Sequence, residues 1–174
     1  MLNLFFRNGT RTCAISSVFY LLKELGKNKS LYEIQTNIEI SENGSNASHI
    51  CEYMEKLNIS HIVFKTNNLK NIFSLISPGK RCAILHVDNG THFLFVKKKN
   101  DGTLIVFDGK DFIQGDIENK LKERFSGFVI MAGKDVKWIT SLIMLKKTLF
   151  LLLIVILGIA LGRFCKKYIT PSSL

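Results

Sequence analysis

Cysteine is scarce and scattered in this sequence of 174 residues, which contains only Cys13, Cys51, Cys82 and Cys165. No two of them have the spacing of a zinc-binding pair or of a disulfide framework. This excludes a small domain that is stabilised by a metal ion or by disulfide bonds. A reducing compartment fits this usage. The first seven residues also lack the charged start, long apolar core and cleavage site of a secretory signal. We therefore expect the N-terminal part of the chain to stay in the cytoplasm.

Two further absences exclude other classes of protein. The sequence has 24 Lys and Arg residues against 14 Asp and Glu residues, but no basic stripe with interleaved aromatic residues, so nucleic acid is not an expected partner. A glycine-rich phosphate-binding loop is missing as well, which leaves no place for an ATPase. No motif in the sequence indicates a cofactor or a metal ion.

One hydrophobic run is long enough to be considered as a membrane span. Residues 148–162 hold no charged side chain, Lys146 and Lys147 precede them, and basic residues follow them. A bilayer core needs roughly 20 helical residues, and snorkelling lysines can extend a shorter run. A buried core helix is the alternative, but the run is apolar on all faces. We predict a linker over 134–145, a single transmembrane helix over 146–166 in the lipid bilayer, and a short tail over 167–174.

The rest of the sequence changes from helical to strand periodicity and predicts one domain over residues 1–133. Apolar spacing and capping residues predict helices at 12–25, from Ser30 onward, at 47–57 and after Asn68. Alternating patterns predict strands at 59–65, 81–87, 91–97, 103–107 and 127–132, with a helix at 116–125. Helices that precede an antiparallel meander predict an α+β fold.

Cys13 has the position that a cysteine nucleophile requires. It opens the first predicted helix after the turn-forming pair Asn8-Gly9, and a helix N-terminus stabilises a thiolate, which is the reactive form. Such a nucleophile also needs a general base and a group that orients this base. A cysteine on a helix is also a common small core residue, so the other residues must decide.

His92 and Asp108 are the candidates for these two roles. His92 begins a predicted strand directly after the tight turn at 88–91, and Asp108 ends the next predicted strand. If the two strands are antiparallel neighbours, the start of one lies beside the end of the other. The imidazole and the carboxylate can then form a hydrogen bond. The structural alternative is that all three residues are ordinary core or surface positions.

The order and spacing of these motifs resemble the papain-like cysteine peptidases that cut double-glycine leader peptides, a bacteriocin-processing family usually fused to ABC exporters. In that family the cysteine opens a helix, a His-Phe pair starts a strand, and an Asp closes the following strand. Cys13, His92-Phe93 and Asp108 match, and the resemblance covers about residues 7–132. It implies a papain-like fold in which Cys13 attacks, His92 carries the proton and Asp108 orients the imidazole.

The sequence departs from this family just before the cysteine, where a glutamine normally helps to build the oxyanion hole. Arg7 and Asn8 stand there instead, and they are the candidate oxyanion donors beside the Cys13 backbone N–H. The resemblance implies a peptide substrate with small residues before the cut and a separate ABC exporter in the same bacterial inner membrane. The alternatives are a non-catalytic peptide-binding module of this fold and a structural subunit of a membrane complex.

Overall fold

The computed structural model describes residues 12–40, 45–109 and 111–169. The chain divides into two compact units, Met1–Lys137 and Trp138–Leu174. The described part of the first unit is a layer of helices and an antiparallel sheet, and the second unit is mostly one helix. The domain limits at 133, 145 and 166 that the sequence predicts stay predictions.

Short polar side chains fix the starts of several helices in the first unit. Ser30 accepts a hydrogen bond from the backbone N–H of Glu33, and Asn46 accepts one from the backbone N–H of Ser48. Such caps satisfy N–H groups that have no partner inside the helix. The helices are α1 (Cys13–Glu24), α2 (Leu31–Asn37), α3 (Ala47–Lys56), α4 (Leu69–Leu75) and α5 (Ile117–Lys122).

The sheet of this unit is antiparallel throughout. Its strands are β1 (His61–Lys65), β2 (Arg81–Val87), β3 (His92–Lys98), β4 (Leu104–Asp108), β5 (Asp111–Ile113) and β6 (Phe125–Gly133). Their order across the sheet is β1-β6-β2-β3-β4-β5. Because β3 and β4 are antiparallel neighbours, the first residue of β3 and the last residue of β4 lie at the same end of the sheet.

Helix α1 is the helix around which the core forms. Ile15, Val18 and Leu22 on α1 are fully buried, and they belong to the same core cluster as Ile84 of β2 and Phe95 of β3. Burying such side chains contributes roughly 1.5–3 kcal/mol each relative to leaving them in water. The apolar face that the sequence predicts for this helix is therefore the face that packs on the sheet.

The predicted α+β fold with an antiparallel sheet is confirmed, with several differences in detail. The sequence pattern missed β5, because a strand of three residues is too short to show an alternating pattern. Helix α5 ends at Lys122 and not at Phe125, since Phe125 already belongs to β6. Strand β6 begins at Phe125, two residues before the predicted start at Gly127.

The C-terminal helix α6 (Val136–Ile169) is longer than the sequence predicts. It begins at Val136, so that the predicted linker over 134–145 is mostly helical. This segment contains no glycine or proline that would interrupt a helix. Further along α6 the apolar side chains from Leu149 to Leu157 are exposed, whereas Val136 at the helix start is buried. No helix in the described part of the chain is both long and apolar enough to qualify as a membrane span. The transmembrane helix predicted over 146–166 is not confirmed.

Candidate active site

Cys13 is the first residue of α1, and Thr12 occupies the N-cap position. Only 5% of the Cys13 surface is exposed. The aligned peptide dipoles of a helix place partial positive charge at its first turn, which favours a nearby anion. The position of Cys13 therefore suits a thiolate that is shielded from solvent.

Ser17, one turn further along α1, ties this helix to the strand that carries the candidate base. Its hydroxyl donates a hydrogen bond of 3.1 Å to the backbone carbonyl oxygen of Phe93, and the contact is buried. Phe93 directly follows His92 in β3. The bond therefore restricts sliding of the helix that carries Cys13 against the strand that carries His92.

His92 and Asp108 lie at the same end of the sheet and are joined by a hydrogen bond. The distance from Nε2 of His92 to Oδ1 of Asp108 is 2.5 Å. The side chains are 14% and 24% exposed, so water competes little for this bond. An imidazole that is held through one nitrogen by a carboxylate has a fixed tautomer and orientation.

The second ring nitrogen of His92 is the one available for proton exchange. Nδ1 is buried and makes no hydrogen bond of standard geometry within the described residues. Cys13 nevertheless interacts with this ring. Hydrogen bonds with Asp108 first and with Cys13 second raise the pKa of His92 to about 9, against an opposing effect of burial.

The other three histidines have different surroundings. His49 contacts the backbone carbonyl oxygen of Glu39, and His61 contacts the carbonyl oxygen of Ile59. His86 stacks on the ring of Phe93, and burial lowers its pKa. Within the described part of the chain, His92 is therefore the histidine whose ring interacts with both a cysteine and a carboxylate.

Arg124, between α5 and β6, extends the site beyond Asp108. Its Nη1 donates to Oδ2 of Asp108 at 3.2 Å, and its Nε and Nη2 donate to the two carboxylate oxygens of Asp88 at 2.8 Å. His92 first and Arg124 second hold the pKa of Asp108 below its ordinary value. The Arg124 guanidinium does the same for Asp88. Both carboxylates are therefore ionised near neutral pH.

The structure brings Cys13, His92 and Asp108 together, while their catalytic roles stay predictions. The candidate oxyanion donors Arg7 and Asn8 lie outside the described residues. Among the residues that the structure describes, no three His, Cys, Asp or Glu side chains come together in a group that could hold a metal ion.

Sequence reasoning missed the participation of Arg124 and treated Asp88 only as a turn residue. Asp88 has one signal in the sequence, namely its place in the turn that precedes the candidate base. Arg124 has no such signal. Its place beside Asp108 depends on how the chain leaves α5, and no local pattern encodes this path.

A buried cysteine at a helix start, with an imidazole and a carboxylate supplied by the facing sheet, is the arrangement of a papain-like cysteine peptidase domain. Comparison with protein families makes this class specific. Residues 2–137 match the Peptidase C39 family, and the chain belongs to that family. The resemblance seen in the sequence is thereby confirmed. Curated proteins give no match to this chain.

Solved structures of double-glycine peptidase domains share the fold. A double glycine motif protease from an AMS/PCAT transporter, in complex with the leader peptide, is 17% identical, with a TM-score of 0.58 over 70% of this chain and 84% of that chain. The peptidase domain of Streptococcus ComA, a bi-functional ABC transporter, is 19% identical, with a TM-score of 0.58 over 74% of this chain and 96% of that chain.

A third relative has the same architecture. The N-terminal peptidase C39 like domain of the toxin secretion ATP-binding protein from Vibrio parahaemolyticus is 20% identical, with a TM-score of 0.54. The match covers 70% of this chain and 97% of that chain. At such low identities the three structures establish a common fold.

Alkylation by iodoacetamide tests whether Cys13 is activated. Near pH 7 the thiol of Cys13 should react at least about tenfold faster than those of Cys51 and Cys82, because the neighbouring His92 imidazolium stabilises a thiolate. Burial raises the pKa of Cys51 and Cys82 and keeps them as thiols. Peptide mapping after brief labelling gives the separate rates.

Solvent access alone predicts that Cys51 reacts faster than Cys13, since Cys51 is more exposed. A His92→Gln variant is the matched control and should lose the fast labelling of Cys13. Equal and slow labelling of all three cysteines in the unaltered protein would contradict an activated site.

Proposed function

We propose that this chain is a cysteine peptidase that cleaves leader peptides after a double-glycine-type motif. The observation that carries the proposal is the order of three groups. Cys13 stands at the start of α1, the His92 ring interacts with it, and Asp108 is hydrogen-bonded to Nε2 of that ring. Membership of the Peptidase C39 family supports the substrate class.

Acyl transfer to Cys13 is the first step of the proposed reaction. The thiolate of Cys13 attacks the scissile carbonyl carbon, and a C–S bond forms as the carbonyl oxygen becomes an oxyanion. The His92 imidazolium gives its proton to the leaving amine as the C–N bond breaks. A pKa of about 9 keeps His92 protonated at neutral pH, so that the proton is available for this step.

Hydrolysis of the acyl-enzyme is the second step. The now neutral His92 takes a proton from water, which attacks the thioester carbonyl and releases the leader with a carboxylate end. The C–S bond then breaks and Cys13 leaves as a thiolate, beside the imidazolium that His92 became when it took the proton from water. Asp108 remains ionised throughout and stabilises the imidazolium without accepting its proton.

The oxyanion requires hydrogen-bond donors near the Cys13 sulfur. The backbone N–H of Cys13 belongs to the first turn of α1, where N–H groups point out of the helix. A side-chain amide from Asn8 or the guanidinium of Arg7 would supply a second donor in place of the glutamine of the family. Preorganised donors of this kind are among the largest contributions to catalysis.

The proposed substrate is a leader peptide with small residues before the cut, and the proposed partner is a separate ABC exporter. Support comes from the relatives, because one was solved in complex with a leader peptide and another is the peptidase domain of an ABC transporter.

Cleavage of a synthetic double-glycine leader peptide by the full chain tests the enzyme. The unaltered protein should release the leader, and Cys13→Ala should slow release by about 10³-fold or more, as loss of a nucleophile does elsewhere. A leader with Val in place of the last Gly controls for specificity.

Of Asn8→Ala and Arg7→Ala, the variant that removes the oxyanion donor should slow cleavage by about 10²–10³-fold.

The same assay separates the competing function. A non-catalytic peptide-binding module would bind the leader without cutting it, and Cys13→Ala would then behave like the unaltered protein. Product that forms equally with both proteins would also refute the proposed mechanism.

We further propose that the C-terminal helix anchors the chain in a bacterial inner membrane, with the peptidase domain in the cytoplasm. The supporting observations are the absence of charge over residues 148–162 and the basic residues on both sides. Apolar side chains from Leu149 to Leu157 are half exposed or more, and exposed apolar surface of this extent is unfavourable in water. An anchor would keep the peptidase close to a membrane exporter.

Membrane fractionation tests the anchor. The full chain produced in bacteria should stay in the membrane fraction after an alkaline carbonate wash. A variant with Leu152→Lys and Ile156→Lys should be released, because each lysine at the centre of a span costs about 2.5–3.5 kcal/mol. Release of the unaltered chain by the wash would contradict the anchor and would leave the peptidase proposal standing.

A further inference from the structure

Arg124 has a second role beyond its local ion pairs. We propose that Arg124 is a positioning residue, which holds the Asp108 carboxylate and the turn before His92 in one arrangement and thereby aims the imidazole at Cys13. This inference rests on the proposed function, because it concerns the same site. It assigns a part in that site to a residue that the sequence does not single out.

The first step of the argument is the hold on Asp108. His92 occupies Oδ1 of this carboxylate and Arg124 occupies Oδ2. A carboxylate that is bound through one oxygen can rotate about its Cβ–Cγ bond, whereas bonds to both oxygens fix its plane. Arg124 therefore restricts the direction in which Asp108 presents Oδ1 to the imidazole.

The second step is the hold on the turn before His92. Nε and Nη2 of Arg124 bind the Asp88 carboxylate in a two-pronged contact. The backbone carbonyl oxygen of Arg124 also accepts a hydrogen bond of 2.7 Å from the N–H of Asp88. Arg124 thus fixes Asp88 through both its side chain and its backbone.

The third step is that this turn needs to be held. Asp88 and Asn89 have φ angles of 53° and 56°, in the left-handed region that residues with a Cβ adopt at a cost. Such conformations persist where the surroundings enforce them. His92 begins its strand directly after this turn, so the direction in which the chain enters β3 depends on the turn.

The charges around His92 make a positioning role distinguishable from a purely electrostatic one. Cys13 and Asp108 interact directly with the ring, while Asp88 and Arg124 lie behind Asp108. Removing the positive charge of Arg124 alone would raise the pKa of His92, because a nearby cation disfavours the imidazolium. Misaligning Asp108 would lower it, since the hydrogen bond with Asp108 is the largest cause of the raised value.

A histidine titration followed by NMR on the full chain separates these outcomes. With Arg124→Gln, the pKa of His92 should fall from about 9 toward the ordinary 6.5, by about one pH unit or more. Arg124→Lys keeps the charge without the two-pronged contact and should give a smaller fall. Asp88→Asn removes the anchor on the turn and should shift the titration in the same direction. A His92→Gln spectrum assigns the signal.

Arg81→Gln is the matched control. Arg81 forms an ion pair of 2.7 Å with Asp135 at the far end of β2, and its loss should lower thermal stability without moving the His92 titration. An unchanged or raised pKa of His92 in Arg124→Gln would overturn the positioning role. If that variant does not fold, the absence of any fall in Arg124→Lys and Asp88→Asn overturns it equally.

This readout does not require peptidase activity, so the two proposals can fail separately. A raised pKa in the unaltered protein together with no fall in the variants contradicts only the role of Arg124. An ordinary pKa of His92 in the unaltered protein would contradict the site itself, and the positioning role with it.

Discussion

The hydrogen bond from His92 to Asp108 joins the first residue of one strand to the last residue of its neighbour. The bond exists because β3 and β4 are antiparallel and adjacent, so that their opposite ends meet at one end of the sheet. The sheet is a rigid support for this pair, because both strands are buried through their middle residues. A base that is fixed in this way can be aimed at a nucleophile on another layer of the fold.

Helix α1 carries the proposed nucleophile, Cys13, at its first position. Its buried face fixes the height of the helix on the sheet, and the bond from Ser17 to the Phe93 carbonyl oxygen limits sliding along β3. The packing of α1 on the sheet therefore places the thiol of Cys13 beside the imidazole. Behind the pair, Arg124 and Asp88 extend the line of alternating charges and connect it to the turn that introduces β3.

Much of this arrangement could be predicted from the sequence, because it depends on where regular elements begin and end. The position of Cys13 follows from an apolar helical pattern, and the pairing of His92 with Asp108 follows from two successive strand patterns. Arg124 could not be predicted, since its contact depends on the path of an irregular connection. Strand β5 was missed because three residues are too few to show an alternating pattern. The start of α6 was missed because polar residues interrupt its apolar pattern.

The central claim is that Asp108, through His92, keeps a proton donor available to the leaving amine. That donor is present below the pKa of the imidazolium, about 9, and is lost as the pH rises through it. The most direct test is the pH dependence of kcat/KM for leader-peptide cleavage by the unaltered protein and by Asp108→Asn. We expect an alkaline limb near pH 9 in the unaltered protein and a limb displaced toward 6.5 in the variant. Two profiles with the same alkaline limb would contradict the account.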